Sequence, residues 1–322
     1  LRTLRTWLWV RIGALRGRWH RGQVRAPEAV LFPGPFAALF ASDRWRYGLY
    51  CPPGLDDAAT APLFVLLHGC KQSALRFAVA TGWTAHADRA RVRLLCPEQR
   101  RSANPYRCWN WFTPAAQRGV GEQAMILAAI DDTRERVAID EGNVVVIGLS
   151  AGGAMAALLA FHHPARLRAA IAVAAPPLLG PLNVQDPRDV MKEGLRAPAE
   201  TSVRHLAPCA PLAVIHGTAD EVVNPRCAEQ LIEQVLATHR SKDVTFSTIS
   251  EAPFRSVDYR SSDGLVARRI SIAGLAHGWT GGPGGHDYCE AGGAPLVALC
   301  AQFLRDLDAR APRPLTSSGN AG

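Results

Sequence analysis

The chain has 322 residues, of which 48% are hydrophobic and only 20% are charged. This composition predicts a globular protein with a large core and excludes disorder of the whole chain. Arginine or lysine interrupts every apolar run before it reaches the ~20 residues that a membrane-spanning helix needs. We therefore expect a soluble protein.

The formal net charge of +8 is concentrated at the N-terminus, where the first 25 residues hold seven arginines and no acid. We interpret residues 1–44 as a basic arm, and we expect no nucleic-acid binding because the rest of the chain is nearly neutral. Trp7 and Trp9 lie among these arginines, which leaves two interpretations open. The arm is either a solvated tail or a segment that makes weak contact with a membrane or with the surface of an apolar granule.

Cellular location and redox state are weakly marked in the sequence. No secretory signal is recognisable, which favours a cytoplasmic protein. Because the chain begins at Leu1, a secreted or periplasmic protein whose leader is missing is the alternative. The eight cysteines include no C-x-x-C pair, so we expect no metal site, while their pairing stays open.

From about residue 45, apolar strands alternate with helices. Strands are predicted at residues 63–67, 92–96, 144–147, 169–174, 212–215 and 270–272. Helices are predicted at residues 122–137, 152–162, 225–238 and 295–307. This order predicts an α/β fold in which helices cover both faces of a mainly parallel sheet. The main domain would span residues 45–309, with a cap-like excursion at 176–208 and a disordered tail at 310–322.

The strongest local motif is Gly-Leu-Ser-Ala-Gly, which places Ser150 between the apolar strand at 144–147 and a helix of small residues. Glycines on both sides of a serine permit a strand-to-helix turn that holds the serine oxygen clear of the backbone. The motif alone is weak, but its position between a strand and a helix is typical of the nucleophile in an α/β-hydrolase fold. Ser150 is therefore the candidate nucleophile.

A serine nucleophile needs a histidine base and a carboxylate that orients it, and in this fold both follow the serine along the chain. Asp220 comes just after the strand at 212–215, and His277 comes just after the strand at 270–272. His286, in a glycine-rich stretch, is the weaker candidate for the base. Two later aspartates, Asp258 and Asp263, are expected to be solvated surface charges because they fall in a polar loop.

Acyl transfer also requires N–H groups that stabilise an oxyanion. The backbone N–H of Ala151 directly follows the nucleophile, and the N–H of Cys70 lies in the His-Gly-Cys-Lys-Gln loop after the first predicted strand. These two groups are the candidate oxyanion hole. A further aromatic stretch, Cys-Trp-Asn-Trp-Phe, includes Trp109 and Trp111. Its rings either line a substrate cleft or pack in the core, and both interpretations stay open.

Together these segments resemble the poly(3-hydroxybutyrate) depolymerase family of esterases, which is related to feruloyl and acetylxylan esterases. The matching segments are residues 47–52, 67–72, 96–99, 104 with 108–112, 148–155 and 277–282. The resemblance runs in order through most of the chain, and it implies the α/β-hydrolase fold and a catalytic triad of Ser150, Asp220 and His277. It also implies that residues 108–112, called here the Trp-rich loop, and Trp279 border the substrate cleft, and that Cys70 pairs with Cys108.

The function implied by the resemblance is hydrolysis of a hydroxyalkanoate polyester or its oligomers through an acyl-enzyme, without a cofactor. A feruloyl or acetyl esterase acting on polysaccharide is the alternative, and a non-catalytic particle-binding module is a more distant one. Lys71, Gly278 and Thr280 depart from the family pattern beside the candidate site, which leaves substrate preference open. No substrate-binding domain follows the catalytic region, so we expect soluble oligomers or amorphous polymer rather than crystalline granules to be cleaved.

Overall fold

The computed structural model describes residues 17–25, 44–180, 183–239 and 244–308. The strands are β1 (Arg18–Arg25), β2 (Arg44–Cys51), β3 (Ala61–Leu67), β4 (Arg93–Pro97), β5 (Ile139–Leu149), β6 (Ala169–Val173), β7 (Leu212–Gly217), β8 (Thr245–Glu251), β9 (Phe254–Ser261), β10 (Gly264–Ile272), β11 (Trp279–Gly282) and β12 (Cys289–Ala291). The helices are α1 (Ala74–Ala80), α2 (Trp83–Ala90), α3 (Glu122–Arg136), α4 (Ala151–His162), α5 (Pro187–Glu193), α6 (Arg226–His239) and α7 (Leu296–Asp308).

Ten strands form one sheet in the order β1-β2-β4-β3-β5-β6-β7-β10-β9-β8. The six from β4 to β10 run parallel. Antiparallel pairs extend both edges, with β2 and β1 on one side and β9 and β8 on the other. The carboxyl ends of the six parallel strands therefore lie along one edge, which is where open α/β sheets build their sites.

Both faces of the sheet are buried, and β3 shows how. Leu63, Val65 and Leu67 point into one core cluster, which also contains residues of α3, α4 and α6. Phe64 and Leu66 point into the other, with residues of α1, α2 and α7. Since successive side chains of a strand alternate between faces, burial of both faces requires the unbroken apolar runs found in the sequence.

The predicted parallel sheet with helices on both faces is confirmed. The six predicted strands correspond to β3, β4, β5, β6, β7 and β10, and the four predicted helices to α3, α4, α6 and α7. The hairpin of β8 and β9 was not predicted, because β8 is exposed along its whole length and has no apolar alternation to mark it.

Asp258 corrects an expectation about surface charges. It lies on β9 and is only 6% exposed. Its Oδ2 accepts a hydrogen bond from Nη2 of Arg268, on the neighbouring strand β10, at 2.7 Å. The expected solvated loop is therefore wrong at this position, because the pairing of two strands supplies a buried counter-ion that the local sequence does not reveal.

The basic arm predicted over residues 1–44 is also wrong in part. Residues 18–25 form β1, which pairs with β2 along the whole of its length. Trp19 packs on Tyr50, with ring centroids 4.9 Å apart, and Arg18 forms an ion pair with Asp57. Charged side chains are common on an edge strand, so this strand had the composition of a solvated tail. The predicted arm before residue 17 and the predicted tail at 310–322 lie outside the described residues.

The excursion predicted at residues 176–208 is fastened to α6 by buried glutamines. The side chain of Gln234 exchanges hydrogen bonds with the backbone of Leu178, and that of Gln230 does the same with Leu195. Its interpretation as a cap stays a prediction. No helix in the described part of the chain is long and apolar enough to span a membrane.

Candidate active site

Ser150 lies on a tight turn between β5 and α4. Its backbone has φ 56° and ψ −120°, a left-handed conformation that is costly for a residue with a side chain. The turn can form only because its flanks are glycine. A Cβ on Gly148 would lie 2.1 Å from the carbonyl oxygen of Gly152, and a Cβ on Gly152 would lie 2.2 Å from that of Leu67.

The structure brings Ser150, His277 and Asp220 together. The Oγ of Ser150 is 3.0 Å from Nε2 of His277, and the Nδ1 of His277 is 2.8 Å from Oδ2 of Asp220. Asp220 follows β7, and His277 lies in the loop after β10, which is the neighbour of β7 in the sheet. The adjacency of these two strands brings an aspartate and a histidine that are 57 residues apart into contact.

Asp220 is held as a carboxylate. Its Oδ1 accepts the backbone N–H groups of Val222 at 2.9 Å and of Val223 at 2.8 Å. Burial raises its pKa, but hydrogen bonds from His216 and His277 and the charge of His277 outweigh burial, so the pKa lies well below the ordinary value of an aspartate. A charged aspartate beside Nδ1 keeps that nitrogen protonated, which leaves Nε2 of His277 free to accept a proton from Ser150.

The loop of residues 68–73, called here the oxyanion loop, lies directly against the nucleophile turn. A Cβ on Gly69 would be 3.4 Å from the carbonyl oxygen of Leu149. The amide of Lys71 donates to the carbonyl oxygen of Tyr106 at 2.6 Å. The amide of Gly69 donates to Oε1 of Gln72, also at 2.6 Å. The amides of Cys70 and Ala151, the two predicted oxyanion donors, thus belong to segments that are in contact.

A disulfide joins Cys70 of the oxyanion loop to Cys108, as the family resemblance implied, with their Cα atoms 4.2 Å apart. It links the oxyanion loop to the Trp-rich loop. The other six cysteines are unpaired and buried. Glu122 also holds the Trp-rich loop, because its carboxylate accepts two hydrogen bonds from Asn110, one from the backbone amide and one from the side-chain amide, each at 2.7 Å.

The prediction that three tryptophans border the substrate cleft is wrong. Trp109 and Trp279 have no exposed surface, and Trp111 is 4% exposed. Trp109 stacks on Trp45 in one core cluster, whereas Trp279 packs against Phe77 in the other. Large apolar rings gain more from burial in the core than they would at an open rim, and the sequence does not show which side of the loop faces inward.

Exposed rings beside the site belong instead to residues that the sequence analysis did not select. Tyr288 is 38% exposed, and its ring meets that of His277 edge-on at a centroid distance of 5.5 Å. Tyr106 is 65% exposed, and its backbone carbonyl oxygen accepts the hydrogen bond from the amide of Lys71 in the oxyanion loop. Neither lies in a motif with a characteristic spacing, so no signal in a single sequence identifies them.

His286, the weaker candidate for the base, lies outside the Ser150–His277–Asp220 group. Its Nε2 accepts the backbone N–H of Ser73, at the end of the oxyanion loop, at 3.0 Å. Burial, followed by the nearby charge of Arg76, lowers its pKa to about 4, so it is neutral near pH 7. Gln72 reaches the same segment, since its side-chain amide donates to the carbonyl oxygen of Asp287. These contacts give His286 a place in holding the oxyanion loop.

In the part of the chain that the structure describes, one group of side chains has the spacing of metal ligands. It consists of His20, Cys51 and Asp57, whose ligand atoms all lie within 4.8 Å of one another. Arg18 forms an ion pair with Asp57, and Arg93 donates to the backbone carbonyl oxygens of Asp56 and Asp57. Two guanidinium groups next to the ligands oppose the binding of a cation.

A serine on a strand-to-helix turn, with an aspartate and a histidine after two later strands of a mainly parallel sheet, defines an α/β-hydrolase fold. The fold class predicted from the sequence is confirmed. The chain belongs to the family described as esterase PHB depolymerase, whose family model matches residues 45–251, more than half of the chain. The matched segment includes Ser150 and Asp220 and ends before His277, so His277 is identified by its geometry.

Two curated proteins and one solved structure illustrate the relationship. Poly(3-hydroxyalkanoate) depolymerase C of Paucimonas lemoignei is 29% identical over 270 residues, which are 79% of this chain and 64% of that protein. Feruloyl esterase B of Neurospora crassa is 28% identical over 241 residues, 69% of this chain and 80% of that protein. The acetyl xylan esterase from Aspergillus awamori has a TM-score of 0.63 at 14% identity, covers 80% of this chain and 94% of its own, and supports the fold alone.

Proposed function

We propose that this protein is a serine carboxylic-ester hydrolase that works through an acyl-enzyme, with Ser150 as nucleophile, His277 as general base and acid, and Asp220 as the group that orients His277. The observation that carries the proposal is the unbroken line of contacts from Ser150 Oγ through His277 to Asp220, at 3.0 Å and 2.8 Å. Membership of the esterase PHB depolymerase family supports it.

The geometry supports double displacement. His277 Nε2 takes the proton of Ser150 Oγ as the oxygen attacks the ester carbonyl carbon. The N–H groups of Cys70 and Ala151 stabilise the oxyanion, each contributing about 3 kcal/mol. The C–O bond to the alcohol then breaks, and the alcohol leaves with the proton held by His277. Water, deprotonated by His277, attacks the acyl-enzyme in the same way and releases the acid.

For the substrate, we propose hydroxyalkanoate esters of the 3-hydroxybutyrate type, as oligomers or amorphous polymer. The name of the Paucimonas lemoignei relative supports this class, although the chain spans 64% of that protein's length. Feruloyl or acetyl esters of polysaccharide are the second candidate. One observation favours them: the chain covers 80% of the Neurospora crassa feruloyl esterase, a larger share than of the depolymerase.

The mechanism is tested by hydrolysis of p-nitrophenyl butyrate, comparing the wild type with Ser150→Ala. We expect a loss of ~10⁴-fold or more in kcat/KM for a variant whose circular dichroism matches the wild type. Ser261→Ala removes a hydroxyl at the turn before β10, at the opposite end of that strand from the site; it is the matched control and should keep full activity. Equal activity in Ser150→Ala and the wild type would refute the serine mechanism.

The substrate class is tested by kcat/KM on 3-hydroxybutyrate oligomers, methyl ferulate and acetylated xylan, with Ser150→Ala as the blank for each. A preference of ~100-fold or more for the oligomers supports the depolymerase assignment, because such a ratio reflects almost 3 kcal/mol of selective transition-state binding. The reverse preference would assign the protein to the feruloyl or acetyl esterases.

Two further proposals concern location and partners. The Cys70–Cys108 disulfide favours secretion or the periplasm over the cytoplasm, because cytoplasmic thiols are kept reduced. Thiol labelling of protein taken from each compartment tests this location, and full labelling of Cys70 and Cys108 would contradict it.

For partners, the basic N-terminal residues are proposed to make weak contact with an anionic membrane or a granule surface. No nucleic acid or cofactor is proposed.

A further inference from the structure

His216 is a second buried histidine on the candidate triad carboxylate. It lies near the end of β7, four residues before Asp220, and its side chain is 2% exposed. Its Nε2 is 2.8 Å from the carbonyl oxygen of Val223 and 3.2 Å from Oδ2 of Asp220. The mechanism above gives this side chain no role.

The contacts of His216 determine which nitrogen carries its proton. Both neighbours of Nε2, the Val223 carbonyl and the Asp220 carboxylate, can only accept hydrogen bonds, so Nε2 must be the donor. Nδ1 is buried and has no hydrogen-bond partner among the described residues. A charged imidazolium would bury a second N–H at Nδ1 without an acceptor, so the geometry favours the neutral ring protonated at Nε2.

The four donors to Asp220 are shared equally between its oxygens. Oδ1 accepts the backbone amides of Val222 and Val223, and Oδ2 accepts His277 and His216. His216 also holds the carbonyl of Val223, whose amide is one of the donors to Oδ1. The ring therefore fastens both the carboxylate and the turn that follows it, which fixes rotation of the carboxylate about its side chain.

We propose that His216 is a positioning residue that holds Oδ2 of Asp220 in line with Nδ1 of His277. This inference rests on the proposed serine hydrolase function. Without His216, one lone pair of Oδ2 would be buried without a donor, and the carboxylate could turn away from His277. Among the described residues, the thiol of Cys227 is close enough to feel the charge of Asp220 but donates to the carbonyl oxygen of Val190, and the ring of Tyr288 faces His277. Neither of them replaces the lost donor.

The test compares three substitutions of the same residue. His216→Gln places an amide N–H near the position of Nε2, His216→Asn places it near Nδ1, and His216→Phe removes the donor. We expect kcat on p-nitrophenyl butyrate to fall ~10-fold or more in His216→Phe and His216→Asn, with KM within about twofold of the wild type, since a hydrogen bond to a charged group is lost. His216→Gln should keep at least about a third of the wild-type kcat. His162→Phe, at a partly buried histidine at the far end of α4, is the matched control and should not change kcat.

The pH profile separates positioning from a general loss of structure. In His216→Phe and His216→Asn, a carboxylate that has turned away from His277 stabilises the protonated imidazole less, so the acidic limb of kcat/KM should move to lower pH. In His216→Gln it should stay in place. If His216→Phe does not fold, the comparison of kcat and of the acidic limb between His216→Asn and His216→Gln tests the proposal alone.

Equal kcat values for Asn and Gln, or an acidic limb that stays in place in the Asn variant, would overturn the proposal. An inactive wild type would instead refute the proposed function, so the two failures are distinguishable.

Discussion

At the nucleophile, the left-handed backbone of Ser150 is held by bonds on both of its sides. Its amide donates to the carbonyl oxygen of Val173 at 2.8 Å, and its carbonyl oxygen accepts the amide of Ala154 at 2.9 Å. A strained residue persists only where the surrounding structure determines it in this way. Gly148 and Gly152 are part of that determination, since a Cβ at either position would overlap a backbone carbonyl oxygen.

We predict that Gly152→Ala disrupts the site. The added Cβ would lie 2.2 Å and 2.6 Å from the carbonyl oxygens of Leu67 and His68, so the oxyanion loop would have to shift. We expect kcat to fall at least ~10-fold and stability to fall by about 1–3 kcal/mol in urea unfolding. Gly142→Ala, where the new Cβ would come no closer than 3.5 Å to a side-chain oxygen, is the control. Equal behaviour of the two variants would contradict this account of the turn.

Asp220 also predicts a dependence of stability on pH. Because its folded pKa is lowered, its contribution is fully present above the ordinary pKa of an unfolded aspartate and is lost as the pH falls through the folded value. Asp220→Asn should therefore lose less stability than the wild type between pH 5 and pH 2. Urea midpoints measured across this range test the prediction. Asp263→Asn, on the exposed turn between β9 and β10, is the control and should lose as much stability as the wild type. If Asp220→Asn also loses as much stability as the wild type, the Asp220 carboxylate does not contribute.

Among elements, the oxyanion loop depends on neighbours that are distant in the chain. The disulfide and the Lys71 amide attach it to residues 106–108, while Gln72 and Ser73 attach it to residues 286–287. The backbone N–H of Cys70 is therefore positioned by contacts on two sides. Rigid placement of oxyanion donors before the reaction is what gives them their catalytic effect.

We predict that Cys108→Ala loosens this loop. Loss of the disulfide should lower stability by about 2–4 kcal/mol, and kcat should fall more than KM changes, because the affected donor acts in the transition state. Kinetics on p-nitrophenyl butyrate and urea unfolding provide the two measurements. Cys300→Ala, at a buried unpaired cysteine of α7, is the control. If kcat is unchanged in Cys108→Ala, the disulfide stabilises the fold without positioning the donor.

For the whole molecule, charge is distributed unevenly along the chain. Four of the arginines precede residue 17, where no acid offsets them. We predict that removal of residues 1–16, which retains β1, weakens sedimentation with anionic vesicles or polyester granules at low salt. Hydrolysis of p-nitrophenyl butyrate should not change. Addition of salt to about 0.5 M should abolish the difference, since screening shortens the range of charge interactions; a salt-independent difference would point to apolar contact instead.

The sequence by itself determined where the six parallel strands and four of the helices lie along the chain, and it identified the three residues that meet at the carboxyl edge of the sheet. Both results follow from local patterns: apolar runs mark strands buried on two faces, and a Gly-x-Ser-x-Gly turn needs its glycines wherever it occurs. Tertiary structure decided which of these residues face the solvent and which pair with one another. It buried Trp109 and Trp279, exposed Tyr288 beside His277, and gave Asp258 a partner on the next strand. It also joined residues 18–25 to the sheet. These outcomes depend on contacts between segments far apart in the chain, and a short stretch of sequence does not contain the partner that determines them.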